Sequence, residues 1–273
     1  TVNSESYDLA GNTRIKNEMI DMGAYEGGIP IPTAYYVDQD ANGNNDGLSW
    51  ENAYTNLQDA LSRPNKEKVS IWVAEGVYYP DEGYEQTNDD PNSTFDIPDS
   101  IKVYGGFAGN ETALNERDWK NHETILNGDL GIVGDNTDNA YHVVTFEGVS
   151  EETVLDGLTI TKGNAGAGYG GGIYNIAPEN GNRSKPHITN CTIKNNTANY
   201  NGGGIYNKCE LDTDESSPVL DSCIISYNEG GGIYNDAGGG YEASPVLINS
   251  IISGNNGNGI YNYGNGGKTS PHF

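Results

Sequence analysis

The stretch DQDANGNND, Asp38–Asp46, is the first whose residue types suggest chemistry. Asp38, Asp40, Asn42, Gly43, Asn44 and Asp46 match positions 1, 3, 5, 6, 7 and 9 of an EF-hand-like loop. Ca2+ needs several oxygen ligands, and a central glycine permits the sharp bend of such a loop. The bidentate Glu of position 12 is missing: Ser49 stands there, and Glu51 follows two residues on. Two readings stand: a Ca2+ loop, and an Asx-rich turn in which the same side chains bond nearby backbone N–H groups.

Catalytic groupings are sparse. Sugar-cleaving sites need grouped carboxylates, or a metal with a basic residue. The basic residues of the second half, Lys162, Arg183, Lys185, Lys194 and Lys208, do not recur at one repeat position. Asp156 and Asp221 fall near equivalent places, with Asn190 and Ile248 replacing them elsewhere. His122, His142, His187 and His272 form no motif, and no GxSxG elbow occurs. No catalytic residue is assigned, and these groups read as solvated surface charge. Tyrosine offers a different chemistry. Tyr174, Tyr206, Tyr234 and Tyr261 recur in one hexad, as a stripe that stacks on sugar rings or as cross-strand packing within a sheet. The flat Thr ladder of an ice-binding face is missing.

The hexad itself sets where these residues stand. GGGIYN occupies Gly170–Asn175, Gly202–Asn207 and Gly230–Asn235, and GNGIYN occupies Gly257–Asn262, so its starts settle to a nearly constant spacing. A second repeat interleaves: PHITNCTIKNN (Pro186–Asn196), PVLDSCIISYN (Pro218–Asn228) and PVLINSIISGN (Pro245–Asn255) align, with VLDGLTITKGN (Val154–Asn164) in the same frame. Leu158, Cys191, Cys223 and Ser250 then share one position. Units of about 27 residues built from short Ile-, Val- and Tyr-rich strands fit one coil of a parallel β-helix; a propeller blade needs about 40–45 residues. Stacked coils put like residues into ladders. The alternation of strand side chains places Ile173, Ile205, Ile233 and Ile260 inward and the tyrosines outward. Asn175, Asn207, Asn235 and Asn262 fall at the following bend, where stacked amides bond along the ladder.

The first half reads as the same all-β architecture with less regularity. Val69–Tyr79, Ile101–Phe107, Thr124–Leu130 and Tyr141–Gly148 are expected strands. Ser49–Ser62 is the one expected helix, with Ser49 as N-cap and Ala53, Leu57, Ala60 and Leu61 on its apolar face, laid across the end of the β-helix. Asp81–Asp99 is expected to be an acidic lateral loop.

Composition narrows the partners. Against 39 Asp and Glu stand 14 Lys and Arg, for a formal net charge of −25. Such a surface repels nucleic acid and anionic lipid, and no 18-residue apolar run is present for membrane insertion. Three cysteines give no disulfide framework, and the stacked Cys191 and Cys223 read as buried thiols or as a bridge between coils. The chain lacks an initiator Met and stops in mid-repeat at Ser270–Phe273, so it reads as a piece of a longer polypeptide or as a processed one.

Tyr35–Leu61, YYVDQDANGNNDGLSWENAYTNLQDAL, resembles the opening of secreted bacterial right-handed parallel β-helix proteins of the pectate-lyase-like superfamily. VYGGFAGNETALNERDW (Val103–Trp119) is similar to a segment common in that group, and the GGGIYN coils resemble repeats of bacterial surface β-helices. The resemblance implies a right-handed β-helix from residue 35 to 273, opened by a strand, turn and capping helix over 35–64, with regular coils over 154–273. Asp8–Glu26, DLAGNTRIKNEMIDMGAYE, is similar to the segment that closes a β-helix module in the same group. Residues 1–28 then read as the tail of a preceding module or an inter-subunit docking segment, and 29–34 as a linker. The expectation is a non-catalytic structural or adhesive module of a bacterial surface protein. Its partners are adjacent β-helix modules or identical subunits end to end, and its one candidate cofactor is Ca2+. The alternatives are a polysaccharide lyase or hydrolase, and a carbohydrate-binding β-helix.

Overall fold

Short alternating runs broken every few residues by Gly or Asn give short strands whose two faces differ. A strand buried on one face satisfies its backbone only by pairing with its neighbours. The structure, a computed structural model, describes residues 34–63, 70–178, 183–209, 214–239 and 242–273, with the backbone pairing of Ile15–Lys16 and Met19–Ile20 in addition. The chain divides into two units, Thr1–Pro32 and Thr33–Phe273. In the first, the two dipeptides pair antiparallel; the expected closing segment of residues 1–28 otherwise lies outside the described residues.

Among the described residues the second unit holds three long parallel sheets and a two-stranded parallel one, Arg183–Ser184 with Glu215–Ser216. Sheet A contains Ala34–Val37, Ser70–Ala74, Lys102–Phe107, Val154–Asp156, His187–Thr189, Val219–Asp221 and Val246–Ile248. Sheet B contains Gly76–Tyr78, Thr124–Asn127, Leu158–Thr161, Thr192–Lys194, Ile224–Ser226 and Ile251–Ser253. Sheet C contains Phe95–Asp96, Val144–Glu147, Ile173–Ala177, Ile205–Cys209, Ile233–Asp236 and Ile260–Tyr263. From Ser70 onward the chain visits A, B and C in that order, and each strand pairs with its counterpart one repeat later.

Pairing in register turns sequence repeats into columns. In sheet A the column Ile71, Val103, Leu155, Ile188, Leu220 and Leu247 is buried. In sheet C, Phe95, Val144, Ile173, Ile205 and Ile233 are buried in the same way. Both columns belong to one core cluster with Ile160, Ile193 and Ile225 of sheet B. Each such side chain contributes about 1.5–3 kcal/mol on burial. Cys191 and Cys223 sit in this core as thiols.

The corners are as regular as the strands. Between sheets A and B stands a single residue with positive φ: Gly157 (76°), Asn190 (52°), Ser222 (56°) and Asn249 (49°). Sheet B is followed by Lys162 (67°), Asn195 (56°), Tyr227 (56°) and Gly254 (65°). Gly and Asn suit this left-handed region; the other side chains are held in it by the pairing on either side. The A-to-B step keeps one length from Val154 to Thr159, His187 to Thr192, Val219 to Ile224 and Val246 to Ile251. Lengths vary at the B-to-C corner instead, where the stretch from Thr159 to Ile173 is longer than its later counterpart from Ile224 to Ile233.

Two expectations are corrected. The helix is only Leu57–Leu61, with Asn56 at its N-cap. The Ser49 hydroxyl accepts hydrogen bonds from the Asn52 backbone and side-chain amides at 3.2 and 3.0 Å, making a local turn. Tyr54 then bonds back to the first strand, Asp38 N to Tyr54 O at 2.8 Å and Tyr54 N to Tyr36 O at 2.9 Å, which uses the groups a longer helix would need. The remaining helix still buries Leu57, Ala60 and Leu61 in the core. The lateral segment Asp81–Asp99 is not all loop, because Phe95–Asp96 forms the first strand of sheet C.

Candidate functional site

One A-to-B corner departs furthest from the common step. Lys102 and Ile125 take the register positions of Val154 and Thr159, yet a long insertion separates them. The extra residues form a strap over the corner, ordered by two carboxylates. Glu111 accepts from the backbone amides of Ala108, Gly109 and Asn110 at 2.7, 3.1 and 3.0 Å. Glu116 accepts from those of Thr112 and Ala113 at 2.7 and 3.1 Å. The Trp50 indole N–H holds Glu111 O at 2.9 Å.

The strap closes on glycines. A Cβ at Gly106 would lie 2.5 Å from the Trp119 Cα, and one at Gly157 would lie 2.9 Å from Arg117 Nη1 and 3.0 Å from Trp119 Cβ. Asn and Ser occupy the Gly157 position in the later repeats; glycine appears where the strap sits. Arg117 pairs with Asp156, both nearly buried. Its guanidinium lies 5.2 Å from the Tyr104 ring centre and 4.9 Å from that of Trp119.

Beside the strap runs a groove of about 600 Å3. Trp119 and Lys120 form one wall, the corner and first strand residues Gly157–Thr159 and Asn190–Thr192 form the floor, and Ser222 and Ile224 form the far end. Glu123 projects over sheet B, accepting from Thr159 Oγ1 at 2.8 Å and facing Lys194 Nζ at 3.4 Å. Next to it in the chain, His122 Nδ1 meets Glu75 Oε2 at 3.1 Å. The lining offers an aromatic ring, hydroxyls, an amide and charged groups of both signs, a donor and acceptor set suited to a polyhydroxylated ligand. Glu123 is the carboxylate of its lining.

The turn, the tyrosines and the hexad asparagines singled out in the sequence lie elsewhere. In the Asp38–Asp46 turn, Asp38 Oδ1 accepts from Asp40 N at 2.9 Å and Asp46 Oδ1 from Leu48 N at 3.0 Å. Asn44 N is held by Asn52 Oδ1 at 2.9 Å. This is an Asx-turn pattern, and among the described residues no three His, Cys, Asp or Glu side chains gather for a metal; Asp40 and Asn42 are exposed at its rim. The tyrosines stack along sheet C, with centroids 5.2–5.4 Å apart between Tyr174, Tyr206, Tyr234 and Tyr261. They do not form an open stripe. Tyr169 packs on Tyr206 at 4.8 Å, leaving Tyr206 and Tyr234 buried and Tyr261 39% exposed. The Tyr206 hydroxyl donates to Asp236 Oδ2 at 2.8 Å. Burial, then the Asp236 bond and charge, push this phenol far above its ordinary ionisation range.

The asparagines of the hexad are not at a bend. Alternation within Ile173–Ala177 and Ile205–Cys209 turns them inward with the isoleucines, and Asn175, Asn207 and Asn235 are wholly buried. Their amides bond one another in a line that ends at Asn262. A second line, Asn196, Asn228 and Asn255, follows the left-handed residues after sheet B, with Nδ2–Oδ1 distances of 3.1 and 3.0 Å. The position shared with Asp156 and Asp221 holds Thr189, not Asn190, in the intervening repeat. Asn190 is the corner residue, and it lines the groove. The groove escaped the sequence reading; its signal is the pairing of GGF…ERDW with the lone glycine corner of VLDGL.

No protein family, no curated protein and no solved structure matches the chain. Among the described residues no helix is long and apolar enough to cross a membrane.

Proposed function

We propose that the chain is a non-catalytic module of a bacterial extracellular surface protein, a right-handed parallel β-helix that adheres by holding a polysaccharide in the groove beside Trp119. Three in-step parallel sheets visited in the order A, B, C support the β-helix, and the hand follows the strong right-handed preference of parallel crossovers. The order of the module-closing Asp8–Glu26 ahead of the opening at Tyr35 supports assembly with neighbouring modules or subunits.

The observation that carries the adhesive reading is the Trp119 wall facing a floor of Thr159, Asn190 and Thr192. An aromatic face takes the apolar side of a sugar ring while the floor satisfies its hydroxyls. Affinity electrophoresis against neutral and acidic polysaccharides tests it. Retention of the wild type without released product, lost in Trp119→Ala and kept in Tyr261→Ala, is the expected result. Product formation makes the groove an enzyme site, and no retention across the panel removes the adhesive reading.

A further inference from the structure

Both sides of the groove are tied to one carboxylate. Asp156 Oδ2 accepts from Arg117 Nη2, and Asp156 Oδ1 accepts from Asn190 Nδ2 at 2.9 Å. Arg117 Nη1 also donates to Gly105 O at 3.2 Å and to Asp156 O at 3.3 Å. The guanidinium thus bridges two strands of sheet A while its faces meet Tyr104 and Trp119. The side chains of Arg117 and Asp156 are 8% and 12% exposed, so water does not compete well for these bonds.

We infer that Asp156 is a positioning residue for the groove: by holding Arg117 on one side and Asn190 on the other, it fixes Trp119 against the corner and sets the distance between wall and floor. Asp221, two repeats on in the same column, serves as the internal contrast. Its carboxylate accepts from the neighbouring Ser222 hydroxyl at 2.9 Å, and its corner is Ser rather than Gly. A planar guanidinium reaches three acceptors at once in this geometry, which an ammonium does not. Motion of Asn190 is therefore felt at Trp119 through the shared carboxylate. The ligand part of this inference rests on the polysaccharide reading; the immobilisation of Trp119 does not.

The test compares wild type, Arg117→Lys and Asn190→Ala in the full chain. Acrylamide quenching of Trp119 is obtained by difference from matched Trp119→Phe proteins, which removes Trp50 and Trp72. Arg117→Lys keeps the charge and loses the fork, and is expected to raise quenching about threefold and to weaken polysaccharide retention about fivefold. Asn190→Ala, a half-buried change at the groove floor, is expected to move both readouts the same way by a smaller factor, and it carries the comparison should Arg117→Lys not fold. Folded variants whose Trp119 is quenched as in the wild type overturn the inference. If the wild type retains no polysaccharide, the proposed ligand falls, while the quenching comparison still decides the role of Asp156.

Discussion

Asn207 donates its side-chain amide to Asn235 Oδ1 at 2.8 Å, and both residues are wholly buried. Asn207 and Asn235 each donate to the next Asn and accept from the one before, and Asn175 donates to Asn207 at the head of the line, so the polar groups that a core would exclude are satisfied along the stack. Asn175 adds bonds to Ser184 and Ser216 at the start of the line.

Removing the middle of that line takes a partner from two buried amides and leaves Asn235 Oδ1 without its donor. Asn207→Ala is expected to cost about 2–4 kcal/mol, while Asn262→Ala, at an exposed position, costs under about 1 kcal/mol. Urea unfolding of the two variants measures the contrast; equal losses would show that the line carries no buried-polar penalty.

Tyr206→Phe removes the bond to Asp236 and keeps the stack, for an expected loss of about 1–2 kcal/mol. Tyr206→Ala also empties the space between Tyr174, Tyr169 and Tyr234 and is expected to cost about 3–5 kcal/mol. The phenols of Tyr206, Tyr78 and Tyr234 are raised chiefly by burial. Their contribution is complete below about pH 10 and is lost as pH rises above it, where the unfolded chain ionises first. Spectrophotometric titration of the phenolate band should show tyrosines that ionise only on unfolding, and fewer of them in Tyr206→Phe.

His142 lies over the Tyr174 ring at 4.6 Å, with Nδ1 donating to Gly170 O at 2.9 Å. Burial lowers its pKa below 6.5. The folded state therefore binds the proton less well than the unfolded chain, and stability falls as pH drops through about 6.5. The urea midpoint of the wild type should fall between about pH 7.5 and 5.5 by more than that of His142→Gln. A parallel fall in both would assign the acid sensitivity to other groups.

Burial pushes the thiols up, Cys209 and Cys223 to about 12 and Cys191 well above the ordinary range. A thiolate-dependent reagent such as Ellman's should leave all three untouched in the native protein and titrate them in guanidinium. Prompt native labelling of any one would show local opening at its repeat.

Much of the architecture is written as spacing. The shared position of Cys191, Cys223 and Ser250 follows from aligning three segments, and the sheet B register sets the strands that follow these residues side by side. Short-range geometry was less legible. The inward turn of Asn175 is hidden because asparagine usually marks bends, and only the buried line of amides makes it tolerable in a core. Ser49–Ser62 has a helical pattern throughout, yet its first half bonds to the Tyr36 strand, a competition between local and long-range partners that no window shows. The groove depends on the strap, whose position comes from Arg117 meeting Asp156 across a long stretch of chain.

The long step from Lys102 to Ile125 enters and leaves the wall without displacing the pairing of Val103 with Leu155 before it or of Ile125 with Thr159 after it. The strap is therefore an insertion that the register of the wall tolerates. A different strap grafted between Phe107 and Thr124 would reshape the groove on an unchanged chassis, provided it kept an arginine for Asp156 and met a glycine at 157.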